Sequence, residues 1–553
     1  MKSSFVRATR SAVLYGQRQR RNSQLIRKRS LSTKTDTTNR KLSTLRIDDD
    51  YADSTMYNQA IKDVFPSLVI GPDGSIESKG PFADAQAQFL DPDPDVVEEL
   101  SSTLLESNMG IVAHYYMDVE LQGVLAAVQQ SSPQMLNRVG IADSLKMGDI
   151  AVNMCQTDGV QAVACLGVDF MAESVAAIMD RAGHGHIPVY RATAASIGCS
   201  LAESAERDVY RAWIEKEKQG EKALHVIYIN TSLETKAISA AACPTITCTS
   251  SNVLQTMLQA SAQVGPDLKI LYGPDTYMGN NLETFFQTIV DNWSDERIAK
   301  DLHPEHNRKT IARLHEKMHV FQEGNCVVHH MFGNSVVDTV KKYYDDAFVT
   351  AHLEVPGEMF EIGMEKSLED RGVVGSTSDI LNFISKKVHE TAISDAKNDR
   401  RRLKFILGTE AGMVTSIVKA VQDIIQKTGS NVEAEIVFPV ASEAVMQTDE
   451  ADEMGGIVPG AGGGEGCSTA GGCATCPFMK MNDLDTVQDI IHMVNSGQKK
   501  TLLSHLPPDR LQGKMINGVS AMDLGVEPIM FMRDYMTNKR LSEALLSKVR
   551  QGF

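Results

Sequence analysis

A motif that occurs three times constrains this 553-residue chain more than any other feature. Three apolar runs end in a similar turn: Val163 to Met171, Ile270 to Met278, and Phe405 to Met413. Each reads as a buried strand followed by Gly, any residue, an acid, and a Met two or three positions on; the acids are Asp169, Asp275 and Glu410. Upstream of each run lies a hydroxyl-bearing turn entering a helical pattern: Ala142-Asp143-Ser144, Thr249-Ser250-Ser251-Asn252 and Gly375-Ser376-Thr377-Ser378. The spacing from Ser144 to Gly167 is 23 residues, from Ser250 to Gly273 also 23, and from Thr377 to Gly408 it is 31, which fits a longer loop. Further upstream come apolar segments with polar residues two apart: Ile111 to Tyr116, Val226 to Asn230 and Phe348 to Glu354.

Residues i and i+2 of a strand share a face, so these polar residues share one environment at a strand end. The unit is strand, hydroxyl turn, helix, strand, acidic turn. Strands separated by helices imply parallel β-α-β units, and three units imply three small α/β lobes. In open α/β sheets the site forms at the C-terminal strand ends beside helix N-termini. Taken singly, a Ser/Thr turn before a helix is an N-cap; three matched copies in one order point to a shared site.

Charge divides the chain into two parts. Residues 1–46 contain 13 Lys/Arg and one acid, Asp36, whereas the whole chain carries −16; the body therefore carries −28. The basic leader is rich in Arg, Ser and Thr and has no continuous apolar core, the composition of an organelle transit peptide. Arg29-Ser30-Leu31-Ser32-Thr33 resembles a mitochondrial processing region, so mitochondrial import is expected, with a plastid as the alternative. Residues 47–98 are acidic, contain Asp91-Pro92-Asp93-Pro94-Asp95, and read as an N-terminal extension or linker. An anionic body argues against nucleic-acid binding, and no apolar run is long enough to span a membrane.

Nine cysteines, an odd number in a large chain without a secretory signal, argue for reduced thiols rather than a disulfide framework. Cys467-x5-Cys473-x2-Cys476 follows a Gly-rich stretch. It lacks an obvious fourth local ligand for structural zinc. Cys199, Cys326 and Cys476 each follow one copy of the repeat, which would let one thiolate per lobe converge on a common axis.

These stretches resemble the quinolinate synthase family of de novo NAD synthesis, over roughly residues 104–490. The resemblance rests on Ala113-His-Tyr-Tyr116, Asp143-Ser144, Gly167 to Glu173, Cys199 to Ala202, Tyr228 to Ser232, Thr249 to Asn252, Cys326 to His329, His352-Leu-Glu354, Gly375 to Ser378, Gly408-Thr-Glu410 and Cys476 to Lys480. Pro244 to Asn252 is similar to the eukaryotic, plant-type branch. The resemblance implies three pseudo-symmetric, three-layer α/β/α lobes with small parallel sheets around a central cluster site. It places lobe 1 at 99–190, lobe 2 at 191–326, lobe 3 at 327–466, and the third cluster cysteine in a C-terminal segment, 467–553. It implies a [4Fe–4S] cluster on Cys199, Cys326 and Cys476. Three thiolates leave one iron open as a Lewis acid. The implied reaction condenses iminoaspartate with dihydroxyacetone phosphate to give quinolinate, phosphate and water.

Matching the motifs residue by residue assigns the site. Tyr116 and Tyr228 are acid/base candidates, Glu354 abstracts protons, and His114 and His352 meet carboxylate or phosphate. Ser144, Ser250, Ser376 and Thr377 offer hydroxyls and helix N-termini to anions, and Asn230 orients a carboxylate. His329 either supports the cluster or binds substrate. Two departures stand out. The usual His-Pro-Glu-Cys reads His352-Leu353-Glu354-Val355, losing the backbone constraint of Pro, and the last cysteine motif has a five-residue first gap. Residues 1–100 hold no counterpart of the sulfur-transfer domain of some plant members. The implied partners are therefore separate iron–sulfur assembly proteins, together with an iminoaspartate-producing enzyme; a homodimer is compatible. The rival readings are an iron–sulfur carrier or redox sensor, which would not need His114, Tyr116, Asn230 and Glu354 together, and a structural zinc protein.

Overall fold

The computed structural model describes residues 65–551 except 220–221, 327, 395–400, 440–475 and 477. The basic leader, Cys467 and Cys473 fall outside the described residues.

The first strands, β1 (Ser67–Ile70) and β2 (Ile76–Lys79), form an antiparallel hairpin. Lobe 1 follows with β3 (Met109–His114), β4 (Val139–Ala142), β5 (Ala162–Leu166) and β6 (Val189–Arg191), all parallel in the order β4-β3-β5-β6. Lobe 2 repeats it with β7 (Ala223–Tyr228), β8 (Thr245–Cys248), β9 (Lys269–Gly273) and β10 (Met318–Val320), in the order β8-β7-β9-β10. Lobe 3 has β11 (Phe348–His352), β12 (Gly372–Gly375), β13 (Arg401–Gly408) and β14 (Val432–Val437), in the order β12-β11-β13-β14. The pseudo-threefold repeat thus extends to strand order. In each sheet the chain reverses its winding between the first and third strands of the lobe, at β3/β5, β7/β9 and β11/β13. These are topological switch points, where open α/β sheets leave a crevice at their C-terminal edge.

The central strands are buried along their length, as parallel strands covered by helices on both faces must be. Alternate residues confirm the three layers. Phe405 and Leu407 of β13 join one apolar core with Ile380, Ile384 and Ile417, while Ile406 joins another with Val336, Val349 and Met359. In lobe 2, Leu224 and Val226 face one core, and Ala223 and Ile227 the other.

The first described part of the 47–98 extension is built into lobe 3, whereas Val96 and Val97 at its end pack against the lobe 1 core. β1 pairs antiparallel with β14, in register from Ser67 opposite Val437 to Ile70 opposite Ala434. Ser67 Oγ donates to Glu435 Oε1 at 2.8 Å. The C-terminal segment is shared out: Val487, Ile490 and Ile491 complete the lobe 1 core, and Ile529, Met532 and Leu545 that of lobe 2.

Candidate active site

Each lobe brings the end of its first strand to the switch point. β3 ends at His114, β7 at Tyr228 and β11 at His352, with Tyr116, Asn230 and Glu354 two residues later. The Nδ1 atoms of the two histidines accept the N–H of residue i+2: Tyr116 N donates to His114 at 3.2 Å, and Glu354 N to His352 at 3.3 Å. Burial pushes both histidines down to about 4, against the opposing pull of Glu354, so both are neutral at pH 7.

Glu354 is the centre of one group. It is buried and accepts a short hydrogen bond from the Tyr228 hydroxyl. His329 Nδ1 lies 3.2 Å from Oε2, and His352 Nδ1 lies 3.6 Å from Oε1. The His329 and His352 rings stack at 5.1 Å and 9°. The His329–Glu354 approach is a charge contact rather than an aligned hydrogen bond, since both His329 ring nitrogens lack a hydrogen-bond partner. Burial alone would raise the Glu354 carboxyl, but the histidines outweigh it and hold it well below its usual range. With His352 neutral, the compensating charge is that of His329. Burial opposes that charge, but Cys326 and Glu354 keep it well above the ordinary histidine range. Tyr228 is pushed well above 10 by burial and by Glu354, so it stays a donor.

Tyr116 of lobe 1 reaches into lobe 3. Its hydroxyl lies 3.2 Å from Thr377 Oγ1 and 3.5 Å from Thr409 Oγ1. Burial and the carboxyls of Glu410 and Glu354 keep this phenol protonated.

The three thiols come together beside these groups. Cys199 caps helix Ser200–Ala205; Cys326 follows β10; Cys476 precedes the turn Met479–Met481. Ser200 Oγ donates to Asn325 O at 3.4 Å, tying the neighbours of the first two cysteines. A Cβ on Gly198 would lie 3.5 Å from the Phe478 ring, tying the first to the third. All three thiols are raised by burial, Cys199 to about 12; Cys326 adds to the shift of Cys199, and Cys326 and Cys199 to that of Cys476. No disulfide joins the described cysteines. Three half-buried thiols that interact electrostatically form a donor set that suits a soft metal centre. Two further donor groups fit a metal ion: Cys326, His329 and Glu410, and His329, His352 and Glu354, each with donor atoms within 4.8 Å of one another.

The remaining expected residues stand at the same strand ends without joining these contacts. Ser144 is buried as the first residue of helix Ser144–Thr157, which Asp143 caps. Asn230 is half-buried in the turn after β7, and Ser250 half-buried in the turn before helix Val253–Val264. Among the described residues, none of these three side chains bonds to the Glu354 or Tyr116 groups. Ser376 is already engaged: its Oγ lies 2.6 Å from Asp379 Oδ2 and accepts from Asp379 N at 3.3 Å, a capping box opening helix Thr377–Ala392.

Two further acids beside the site, Asp275 and Glu410, stand in the sequence as repeat markers, Glu410 also within a family motif, with no role assigned. Each keeps one buried oxygen without a hydrogen-bond partner. Glu410 is raised to about 8 by burial, with Glu354 adding repulsion and the Cys476 N–H opposing it. Asp275 is raised well above its ordinary range by burial and by Glu354. Their lobe 1 counterpart, Asp169, is fully engaged by Arg191 Nη1 at 2.8 Å, Ser196 Oγ at 2.5 Å and Ile197 N at 3.2 Å.

Three doubly wound lobes with thiols, a carboxylate and protonated phenols near their switch points define an enzyme of the α/β class with side-chain groups able to hold a metal. Residues 98–501 match the family described as quinolinate synthetase A protein. Two chloroplastic quinolinate synthases, from Nicotiana tabacum and Arabidopsis thaliana, are 47% and 46% identical, each over 88% of this chain and 67% of their own length. A quinolinate synthase of Ehrlichia chaffeensis is 26% identical over 70% of this chain and 87% of its own. The chain belongs to the quinolinate synthase family. The plant relatives are named chloroplastic, which supports the plastid alternative for the leader rather than the mitochondrial reading.

Proposed function

We propose that this chain condenses iminoaspartate with dihydroxyacetone phosphate to form quinolinate, and that it does so in a plastid. The observation that carries the reading is the continuity of the thiol group with the Glu354 group through His329. A [4Fe–4S] cluster on Cys199, Cys326 and Cys476 would keep one iron free of thiolate and supply a Lewis acid to oxygen and nitrogen donors of the substrates.

The chain's own residues supply proton transfer and orientation. Glu354 is charged, buried and bonded to a phenol, which suits it to accept a substrate proton. Tyr228 and Tyr116 remain protonated and act as donors during dehydration and tautomerisation. His114 and His352 are neutral and offer their Nε2 hydrogens, since Nδ1 of each accepts a backbone N–H. The N-termini of helices Ser144–Thr157 and Thr377–Ala392 favour an anion by about 0.3–1 kcal/mol each, up to about 2 when partly buried. Such local donors must outweigh the −28 of the body.

Anaerobic iron and sulfide analysis with a quinolinate assay tests this. About four irons per chain and quinolinate formation are expected. Iron without quinolinate would favour a carrier or sensor, and bound zinc in place of iron would overturn the cluster.

A further inference from the structure

Residues two positions past the first strand of each lobe, Tyr116, Asn230 and Glu354, share an unassigned feature. Each is straddled by one buried polar side chain that donates to the carbonyls on both sides of it. Gln122 Nε2 donates to Tyr115 O and, at 3.2 Å, to Met117 O. Lys236 Nζ donates to Ile229 O at 3.0 Å and to Thr231 O. Asn281 Nδ2 donates to Leu353 O at 2.9 Å and to Val355 O at 2.8 Å. The three side chains are at most 2% exposed as residues.

We propose that Gln122, Lys236 and Asn281 are positioning residues, a threefold set of carbonyl clamps that fix the backbone of Tyr116, Asn230 and Glu354 so that their side chains meet the substrates. This rests on the assignment of those three residues to the substrate site.

The pseudo-symmetry separates this from ordinary loop stabilisation. Gln122 and Lys236 each lie six residues beyond the residue they clamp, on the helix that follows it. In lobe 3 that position is Phe360, an apolar core residue. The clamp is nevertheless present, supplied by Asn281 from helix Thr276–Asn292 of lobe 2. The arrangement is thus kept although its source differs. It also stands where the Pro of the usual His-Pro-Glu-Cys is missing, and Asn281 holds the Leu353 carbonyl in its place.

Lys236 has the most demanding geometry. Besides the two carbonyls, Nζ lies 3.0 Å from Thr231 Oγ1. Three acceptors match the three N–H groups of an ammonium. Lobe 2 also needs the clamp most. His114 and His352 close their own turns through Nδ1, whereas Tyr228 occupies that position in lobe 2 and offers no such acceptor. The turn there is a tight one, with Thr231 N donating to Ile229 O at 2.7 Å and Asn230 at its apex. Burying this amine is expensive, and burial lowers it to about 7 despite its three acceptors.

The test is a double-mutant cycle on the iron–sulfur-loaded enzyme, read as the Kd for quinolinate. Lys236→Met and Asn230→Ala are each expected to weaken binding by about tenfold to a hundredfold, the scale of a lost charge-assisted hydrogen bond. The double variant should bind no more weakly than the worse single, because the clamp acts through Asn230. Effects that multiply, or wild-type binding by Lys236→Met, would overturn the proposal. Wild-type binding by Asn230→Ala would instead remove Asn230 from the substrate site and the lobe 2 clamp's purpose with it. Should Lys236→Met not fold, Asn281→Leu tests the same device through kcat. A loss that disappears in the Glu354→Gln background is expected, and an unchanged kcat would refute it.

Discussion

Gly412→Ala is the sharpest perturbation of the junction between lobes 1 and 3. Gly412 sits in the turn Ala411–Met413, where its φ is one that alanine adopts freely. Backbone preference alone therefore predicts a gain of about 0.4–1 kcal/mol through the unfolded chain. Space predicts the opposite. An added Cβ would lie 2.7 Å from Tyr115 O, 2.8 Å from Tyr116 Cα and 3.2 Å from Gln122 Nε2. Ordinary contact begins at 3.4 Å, so the Tyr115–Tyr116 backbone must retreat by about 0.6–0.7 Å. Overpacking of this kind costs about 1–3 kcal/mol, which outweighs the entropic gain. A retreat of that size is comparable to the slack in the contacts of the Tyr116 hydroxyl, 3.2 Å to Thr377 and 3.5 Å to Thr409. Since a misplacement of about 1 Å lowers a rate about a hundredfold, kcat should fall by about tenfold to a hundredfold. Quinolinate formation and thermal denaturation are measured beside Gly357→Ala, a helix-start glycine with nothing within 4 Å of its built Cβ. The control should keep full activity. Wild-type kcat and wild-type melting in Gly412→Ala would refute the reasoning.

Glu354→Gln keeps the shape and the Tyr228 hydrogen bond but removes the base; kcat should fall by about a hundredfold to ten-thousandfold, with quinolinate affinity far less affected, and a loss below about fivefold would take proton abstraction from this residue. Cys326→Ala should lose both the iron–sulfur absorbance and activity, whereas Cys165→Ala, in the core of β5, should keep both; retention of both by Cys326→Ala would remove it from the ligand set. His225, bonded to the Tyr210 hydroxyl at 2.9 Å, is pushed down to about 3 by burial. Its folded form refuses a proton that the unfolded chain accepts near 6.5, so its contribution is intact above that pH and is lost as pH falls toward 3. His225→Gln should flatten the fall in urea midpoint between pH 7 and pH 5, and an unchanged slope would contradict this.

The lobes were legible in the sequence because parallel strands covered on both faces read as unbroken apolar runs, and because function places polar residues at their ends. Pairings distant in sequence were not. β1 lies far from β14 in the chain, and nothing in Ser67–Ile70 names its partner, so the acidic extension read as a linker. Lys236 was missed because a lysine inside a helical segment ordinarily reads as a solvated face; only its three backbone and hydroxyl acceptors reveal burial. Ser376 and Thr377 are adjacent hydroxyls that pattern cannot tell apart, yet one is consumed by its own cap and the other meets Tyr116.

The three repeat acids show how a symmetric frame becomes an asymmetric site. Asp169, Asp275 and Glu410 occupy one position in three lobes, and their surroundings give them different fates. Arg191, Ser196 and Ile197 satisfy Asp169 and make it structural. For Asp275 and Glu410 the opposing cation is His329, which does not offset their burial. They face Glu354, and buried carboxylates this near one another cannot all be ionised. His329 lowers all three, but it stands 3.2 Å from Glu354, which also accepts from Tyr228; that carboxyl is pushed down while Asp275 and Glu410 are pushed up. Acids whose environments drive their proton affinities apart separate into acceptor and donor. In the proposed reaction that division gives Glu354 the role of base, and the raised proton affinity of Asp275 and Glu410 limits further negative charge beside it.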